Sequence, residues 1–94
     1  MRFAGVAIKD LKLGETINGI YILRKKELKE ASNKKPYIDM VFSDNTGEIQ
    51  AKIWEAGEDV FSRLQLNMLY YVNAKVDSFK DMLQSSINKI RIAD

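Results

Sequence analysis

The chain has 94 residues, enough for one domain with one modest core, and at 46% hydrophobic and 30% charged it has the composition of a folded globular chain. It holds no cysteine and no histidine. That excludes disulfides, thiolate nucleophiles, Cys- or His-ligated metal centres and every Ser–His or Cys–His arrangement, so neither catalysis nor a cofactor nor a metal is expected of this chain alone. The formal net charge of +2 is too small to announce a nucleic-acid binder, but its distribution says more. Between Arg24 and Lys35 lie six basic and two acidic residues, a local net of +4, while the remaining nine basic and eleven acidic residues leave −2. One short segment carries the whole positive excess.

Residues 1–10 read as a partly ordered lead-in, and 11–94 as the domain. Phe3 to Ile8 is too short for a signal-peptide core and no stretch is long enough to span a membrane, so the expected location is the cytoplasm. Gly14-Glu15 is a turn. Residues 16–25 (TINGIYILRK) are rich in β-branched and aromatic side chains and predict a strand, with Gly19 as the position for a sharp bend. Residues 25–35 are charged and polar and read as a loop. Residues 36–43 alternate, with Ile38, Met40 and Phe42 on one face and Tyr37, Asp39 and Val41 on the other. Asp44-Asn45-Thr46-Gly47 is a turn, and 48–54 alternates again: Ile49, Ala51 and Ile53 point one way, Glu48, Gln50, Lys52 and Trp54 the other. Residues 55–64 predict a short helix with Val60, Phe61 and Leu64 on its apolar side. Strands at 69–79 and 82–92 follow, joined at Lys80-Asp81.

Five strands with one helix between the third and fourth is the element order of the OB-fold, an all-β, five-stranded Greek-key barrel. The residues add a closer resemblance, covering roughly Ile8 to Arg91. Asp10-Leu11 with Leu13-Gly14-Glu15 opens the match, and Lys35-Pro36-Tyr37 opens the second strand. The pattern Asp44-x-Thr46-Gly47-x-Ile49-x-Ala51-Lys52-x-Trp54 then crosses the hairpin, and Gln84-x-x-Ile87-x-x-Ile90-Arg91 closes the last strand. In these pieces the chain resembles the N-terminal OB domain, of the anticodon-binding type, of bacterial 3′–5′ exoribonucleases that carry a C-terminal HD hydrolase domain. Two positions depart from that pattern: Lys34 stands where a glycine is frequent, and Ser85 where an apolar residue is usual. The resemblance implies an accessory domain, cut from a longer chain, that handles RNA while the hydrolase domain, absent here, does the chemistry.

In the OB-fold the groove for single strands lies on the second and third strands, flanked by the first and last loops. The basic segment Arg24, Lys25, Lys26, Lys29, Lys34 and Lys35 falls beside that groove and supplies cations for phosphates. Tyr37 and Trp54 stand on the outer face of paired strands with Gln50 and Lys52 between, where exposed rings stack bases. Trp54, at a strand end, alternatively packs against the helix or another domain. Phe79 and Lys80, at the last hairpin tip, offer a ring and a cation, or an anchor to the missing domain. Asp39, Asp44 and Glu48 are read as structural, Asp44 and Glu48 because they bracket a turn. The expected partner is single-stranded RNA or DNA together with the hydrolase domain, oligomerisation being open. The rival expectation is a protein-interaction or oligomerisation module that uses the same outer face.

Overall fold

Alternation in 36–54 leaves one apolar face on each strand, and five strands bury such faces together when their sheet closes on itself. The computed structural model describes residues 5–93 and, of Phe79, the backbone only. It contains β1 (Thr16–Glu30), β2 (Pro36–Ser43), β3 (Glu48–Trp54), α1 (Glu58–Arg63), β4 (Leu69–Phe79) and β5 (Met82–Ile92). The strands form a closed barrel in the order β1-β2-β3-β5-β4. Every pairing is antiparallel except that of β3 with β5, a parallel seam of three residue pairs, Gln50/Gln84, Ala51/Ser85 and Lys52/Ser86. This is the OB-fold that the element order predicts.

The core is built from the expected faces. Ile38, Met40 and Phe42 of β2, Ile49 and Ala51 of β3, and Val72, Ala74 and Val76 of β4 are all buried, while Ile53 only packs against them from the rim. Helix α1 is shorter than the predicted 55–64. Glu55 has a φ of +55°, which interrupts the chain before the helix, and Gly57 occupies the N-cap position. Val60 and Phe61 lean on the core, and Leu64, just past the last turn, is buried in it. No helix among the described residues is long and apolar enough to cross a membrane.

The structure corrects two expectations for β1. The predicted strand ends at 25, but β1 runs to Glu30, and residues 31–35 alone make the turn. Polar composition suggested a loop; cross-strand pairing overrides it, since Leu28 pairs with Ile38 and Lys29 with Tyr37 on an apolar partner strand. The bend, too, is not at Gly19. Gly19 keeps regular register opposite Val72 of β4, and the register shift falls at Arg24, between Leu23 and Lys25. There β1 leaves β4 and continues along β2. Leu23 fixes the crossing through both backbone groups, its N–H donating to the Met68 carbonyl at 3.0 Å and its carbonyl accepting from the Asn67 N–H at 2.7 Å. Gly19 serves close approach instead: a Cβ on Gly5 would lie 2.6 Å from the Gly19 Cα, so the lead-in crosses β1 backbone to backbone.

That lead-in is packed from Ile8 onward. Residues Ile8–Asp10 form a 3-10 turn, and Ile8 and Leu11 are buried in the core. The Asp44 carboxylate holds it: Oδ2 accepts from the Ile8 N–H at 2.8 Å, and Oδ1 accepts from the Thr46 N–H, the Thr46 hydroxyl and the Gly47 N–H. Burial pushes the Asp44 carboxyl up, but these four donors outweigh it and hold its pKa below the usual carboxylate value. Nearby, the Tyr21 hydroxyl donates to the Val6 carbonyl at 2.7 Å. Burial first, and the Asp44 charge second, push its pKa up to about 12. At the other departure from the family pattern, Ser85 is buried opposite Val76 and Ala51, its hydroxyl donating to the Gln50 carbonyl at 3.4 Å.

Candidate nucleic-acid interface

The register of β1, β2 and β3 sets the outer face in three rows. They read Lys25–Val41–Gln50, Glu27–Asp39–Lys52 and Lys29–Tyr37–Trp54, and β5 extends the first two with Gln84 and Ser86. Tyr37 and Trp54 are therefore direct cross-strand partners. Their ring centroids lie 5.0 Å apart with the planes tilted by 37°. Trp54 is 49% exposed, so the helix does not cover it. Between the turn at 31–35 and Trp54 opens a hollow of about 350 Å³, lined by Asn33, Lys35, Pro36 and Glu55 among others. A second depression of about 350 Å³ lies at the opposite end of β2, over Lys25, Val41, Gln50 and Leu66.

Lys52 departs from its expected exposure. It is only 8% exposed, and its ammonium sits 5.7 Å from the Tyr37 centroid and 5.4 Å from that of Trp54. A cation against two rings steadies both, while Trp54 stays half exposed and Tyr37 partly so. Alternation put Lys52 on this face; its enclosure by the two rings needed the cross-strand register as well.

The basic segment divides by what each cation touches. The Arg24 guanidinium donates to the Ser43 hydroxyl at 3.1 Å and to Asn67 Oδ1 at 3.0 Å, bracing the bulge. The Lys26 ammonium donates to the Phe61 and Leu64 carbonyls, both at 2.8 Å, and lies 4.2 Å from the Phe61 centroid. It closes the C-terminal end of α1, where the orphan carbonyls concentrate negative charge. Lys29 pairs with Asp39 at 3.1 Å; that hydrogen bond, with the Asp39 charge behind it, raises the Lys29 pKa above its ordinary value. Asp39 also accepts from the Gln50 amide at 2.9 Å. Lys35 pairs with Glu55 at 2.9 Å across exposed surface. Lys25 is exposed and Lys34 sits at the tip of the turn with a φ of +66°. That left-handed backbone is one that glycine adopts without strain and a lysine only at a cost.

The last hairpin turns on Lys80 and Asp81, with φ of +52° and +65°, the two-residue turn that matches strand twist. It lies at the far end of the face from Trp54. Four residues from Trp54 back to Gln50, and four more from its partner Gln84 back to Lys80, separate the two levels, roughly 25 Å. The structure thus gathers Lys29, Lys34, Lys35, Tyr37, Lys52 and Trp54 at one end and Lys25 and Gln50 along the middle. Lys80 stands at the other end, and the Phe79 side chain lies outside the described part. Sequence reasoning missed the compensation of this face by Glu27 and Asp39: the place of Asp39 in the alternation was readable, but Glu27 lies in the segment read as a loop. Among the described residues no group of three or more His, Cys, Asp and Glu side chains is placed to hold a metal ion.

Residues 16–93, all five strands and the helix, match the family described as OB-fold nucleic acid binding domain, of the tRNA anti-codon type. The chain belongs to this OB-fold family. The 3′–5′ exoribonuclease YhaM of Listeria monocytogenes is 29% identical to this OB domain over 85 residues, covering 89% of this chain and 27% of the relative. This OB domain therefore spans about a quarter of the length of the curated relatives it matches. Among solved structures it superposes on a replication protein A heterotrimer bound to single-stranded DNA with a TM-score of 0.67. There the identity is 20%, and the match covers 89% of this chain and 61% of that one. The second OB-fold domain of replication protein A from Methanococcus maripaludis gives a TM-score of 0.61 at 20% identity, covering 95% and 94%. At such identities the structural likeness speaks to the fold alone.

Proposed function

We propose that this domain binds single-stranded nucleic acid, RNA in preference, along the outer face of β1, β2 and β3. It would present the strand to a hydrolase domain elsewhere in a longer cytoplasmic protein and carry no catalysis itself. The observation that carries this reading is the Tyr37–Trp54 pair, ring beside ring on the outer face with Lys52 against both and an open hollow beside Trp54. Stacking platforms beside mobile cations are what a sequence-tolerant single-strand site needs. The family match and the exoribonuclease relatives support the class of ligand. Phosphate contacts fall to cations at the edges, since Glu27 and Asp39 compensate the lysines of the face itself.

The test is a titration of labelled single-stranded RNA and DNA over a range of salt. Lys25→Gln with Lys34→Gln should flatten the salt dependence by about 0.7 per lost phosphate contact, for all sequences alike. Lys26→Met should leave that slope unchanged and instead lower the melting temperature, because its ammonium caps α1. RNA should bind more tightly than DNA of the same sequence; equal affinities would remove the RNA preference, and binding of neither would overturn the reading.

A second reading has its own observation. Met82, 70% exposed, and Leu83 stand beside Ile8, Leu11 and Ile49 around a hollow of about 210 Å³ at the lead-in end of the barrel. Exposed apolar side chains gathered at one end suit docking against another domain. Such docking would occupy the end of the barrel and leave the Tyr37–Trp54 face open.

A further inference from the structure

The barrel has a second broad face, on the first half of β1 with β4 and the C-terminal half of β5. Its register gives the rows Asn18–Asn73–Lys89 and Ile20–Tyr71–Arg91, with Thr16–Lys75–Ser86 at the edge. Three of these positions are cationic and none carries a carboxylate. On β4 the first carboxylate beyond them is Asp77, which accepts from the Ser86 hydroxyl at 3.1 Å. The rows of this face thus sum to +3, against +1 for the Tyr37–Trp54 face, where two carboxylates sit among three lysines.

The polar groups on this second face are ordered. Asn18 Oδ1 accepts from the Asn73 amide at 2.6 Å and from the Tyr71 hydroxyl at 3.3 Å, and Asn73 Oδ1 accepts from the Asn88 amide at 3.3 Å. These bonds anchor the Tyr71 hydroxyl, and the Arg91 guanidinium lies 5.0 Å from the ring centroid. Beside them is a hollow of about 210 Å³ lined by Ile20, Tyr71, Arg91, Ile92 and Ala93. It has an aromatic and aliphatic wall with a cation at its side. Lys75 and Lys89 are exposed and have no salt-bridge partner among the described residues.

We infer that this face is a second contact surface for the same single strand. A strand that leaves the Tyr37–Trp54 face would continue around the barrel, its phosphates on Lys75, Lys89 and Arg91 and a base in the Tyr71–Arg91 hollow. The inference rests on the single-strand reading above and extends it to strands too long for one face. Charge complementarity selects the occupant: a carboxylate-free row of cations fits a polyanion, and the aromatic hollow beside Arg91 fits one that carries bases.

The experiment compares single-stranded RNA of about six and about sixteen nucleotides, the span over which one OB barrel's site size varies. It uses the wild type, Tyr37→Ala and the triple variant Lys75→Gln, Lys89→Gln, Arg91→Gln, each checked by thermal melting. The wild type should bind the longer RNA more tightly, with a steeper salt dependence. The triple variant should bind the short RNA as the wild type does. For the long RNA it should lose the extra slope, so that between roughly 50 and 200 mM salt its affinity falls about twenty-fold less than that of the wild type. Should the triple variant melt early, Lys75→Glu with Lys89→Glu, both at exposed positions, replaces it and should weaken the long RNA alone. Wild-type behaviour of these variants on long RNA overturns the second face, while loss of short-RNA binding by Tyr37→Ala keeps the first. Loss of both lengths in the triple variant, with Tyr37→Ala unaffected, supports this face and overturns the first. No binding at all overturns both.

Discussion

Replacing Trp54 by alanine is expected to weaken single-strand binding by about 1–3 kcal/mol, a factor of five to over a hundred, as the loss of one stacked base does. The same change should cost little stability, because half of the indole faces solvent and the helix does not cover it. Tyr37→Ala should weaken binding by a similar amount. The two are not expected to add, since the rings touch each other and share the Lys52 ammonium. Each single loss removes part of the other ring's support, so the double variant should be only slightly weaker than either alone. Filter binding or fluorescence titration beside thermal melts checks this. A Trp54→Ala protein that unfolds early but binds normally while folded would mean that the ring is packing and not a platform.

Asp44→Ala should be the costliest of the polar substitutions, at about 2–3 kcal/mol of folding stability, because it strands donors from the turn and from the lead-in together. The pH dependence follows from the direction of the shift. The folded carboxyl has a lowered pKa, so its contribution is fully present above the ordinary unfolded value near 4. It is lost as the pH falls through the lower folded value. Urea unfolding of wild type and variant at neutral pH and again below about pH 4 should show the gap narrowing in acid. A gap that stays constant would mean that the carboxylate charge plays no part in holding Ile8 to the turn.

Most of this fold could be read from alternation, and the reason is local. In 36–54 every second residue is apolar and the turn residues lie between, so β2, β3 and their register follow from the pattern alone. Residues 25–30 could not be read in that way. Their side chains are those of a loop, and only the partner strand, with Ile38 and Asp39 in reach, makes them a strand. Gly19 did signal a special place in β1, but one glycine cannot say whether the chain bends there or is crossed there. The candidate site divides similarly. Alternation put Tyr37, Gln50, Lys52 and Trp54 on one face, which is where they lie. The concentration of charge between Arg24 and Lys35 gave no information on which cations are engaged. Lys26 turns to the helix and Lys29 to Asp39 because of contacts 35 and 10 residues away, invisible in a run of like charges.

The parallel seam between β3 and β5 closes the barrel with only three residue pairs, whereas β4 and β5 are paired over nearly their whole length. In mechanical terms it is the zip of the molecule. The β1–β2–β3 meander and the β4–β5 hairpin each form from near neighbours in the chain, but the seam joins residues more than thirty positions apart and meets the larger loop-closure cost. The β1–β4 ladder spans 47 to 59 positions and meets a larger closure cost still, but it holds seven residue pairs against the seam's three, so the seam is the ladder expected to part first. A barrel unzipped there is a five-stranded open sheet with β3 and β5 as bare edges, each able to accept the complementary strand of a second copy. The same short seam that completes the monomer thus fixes where two copies would exchange strands when the barrel opens.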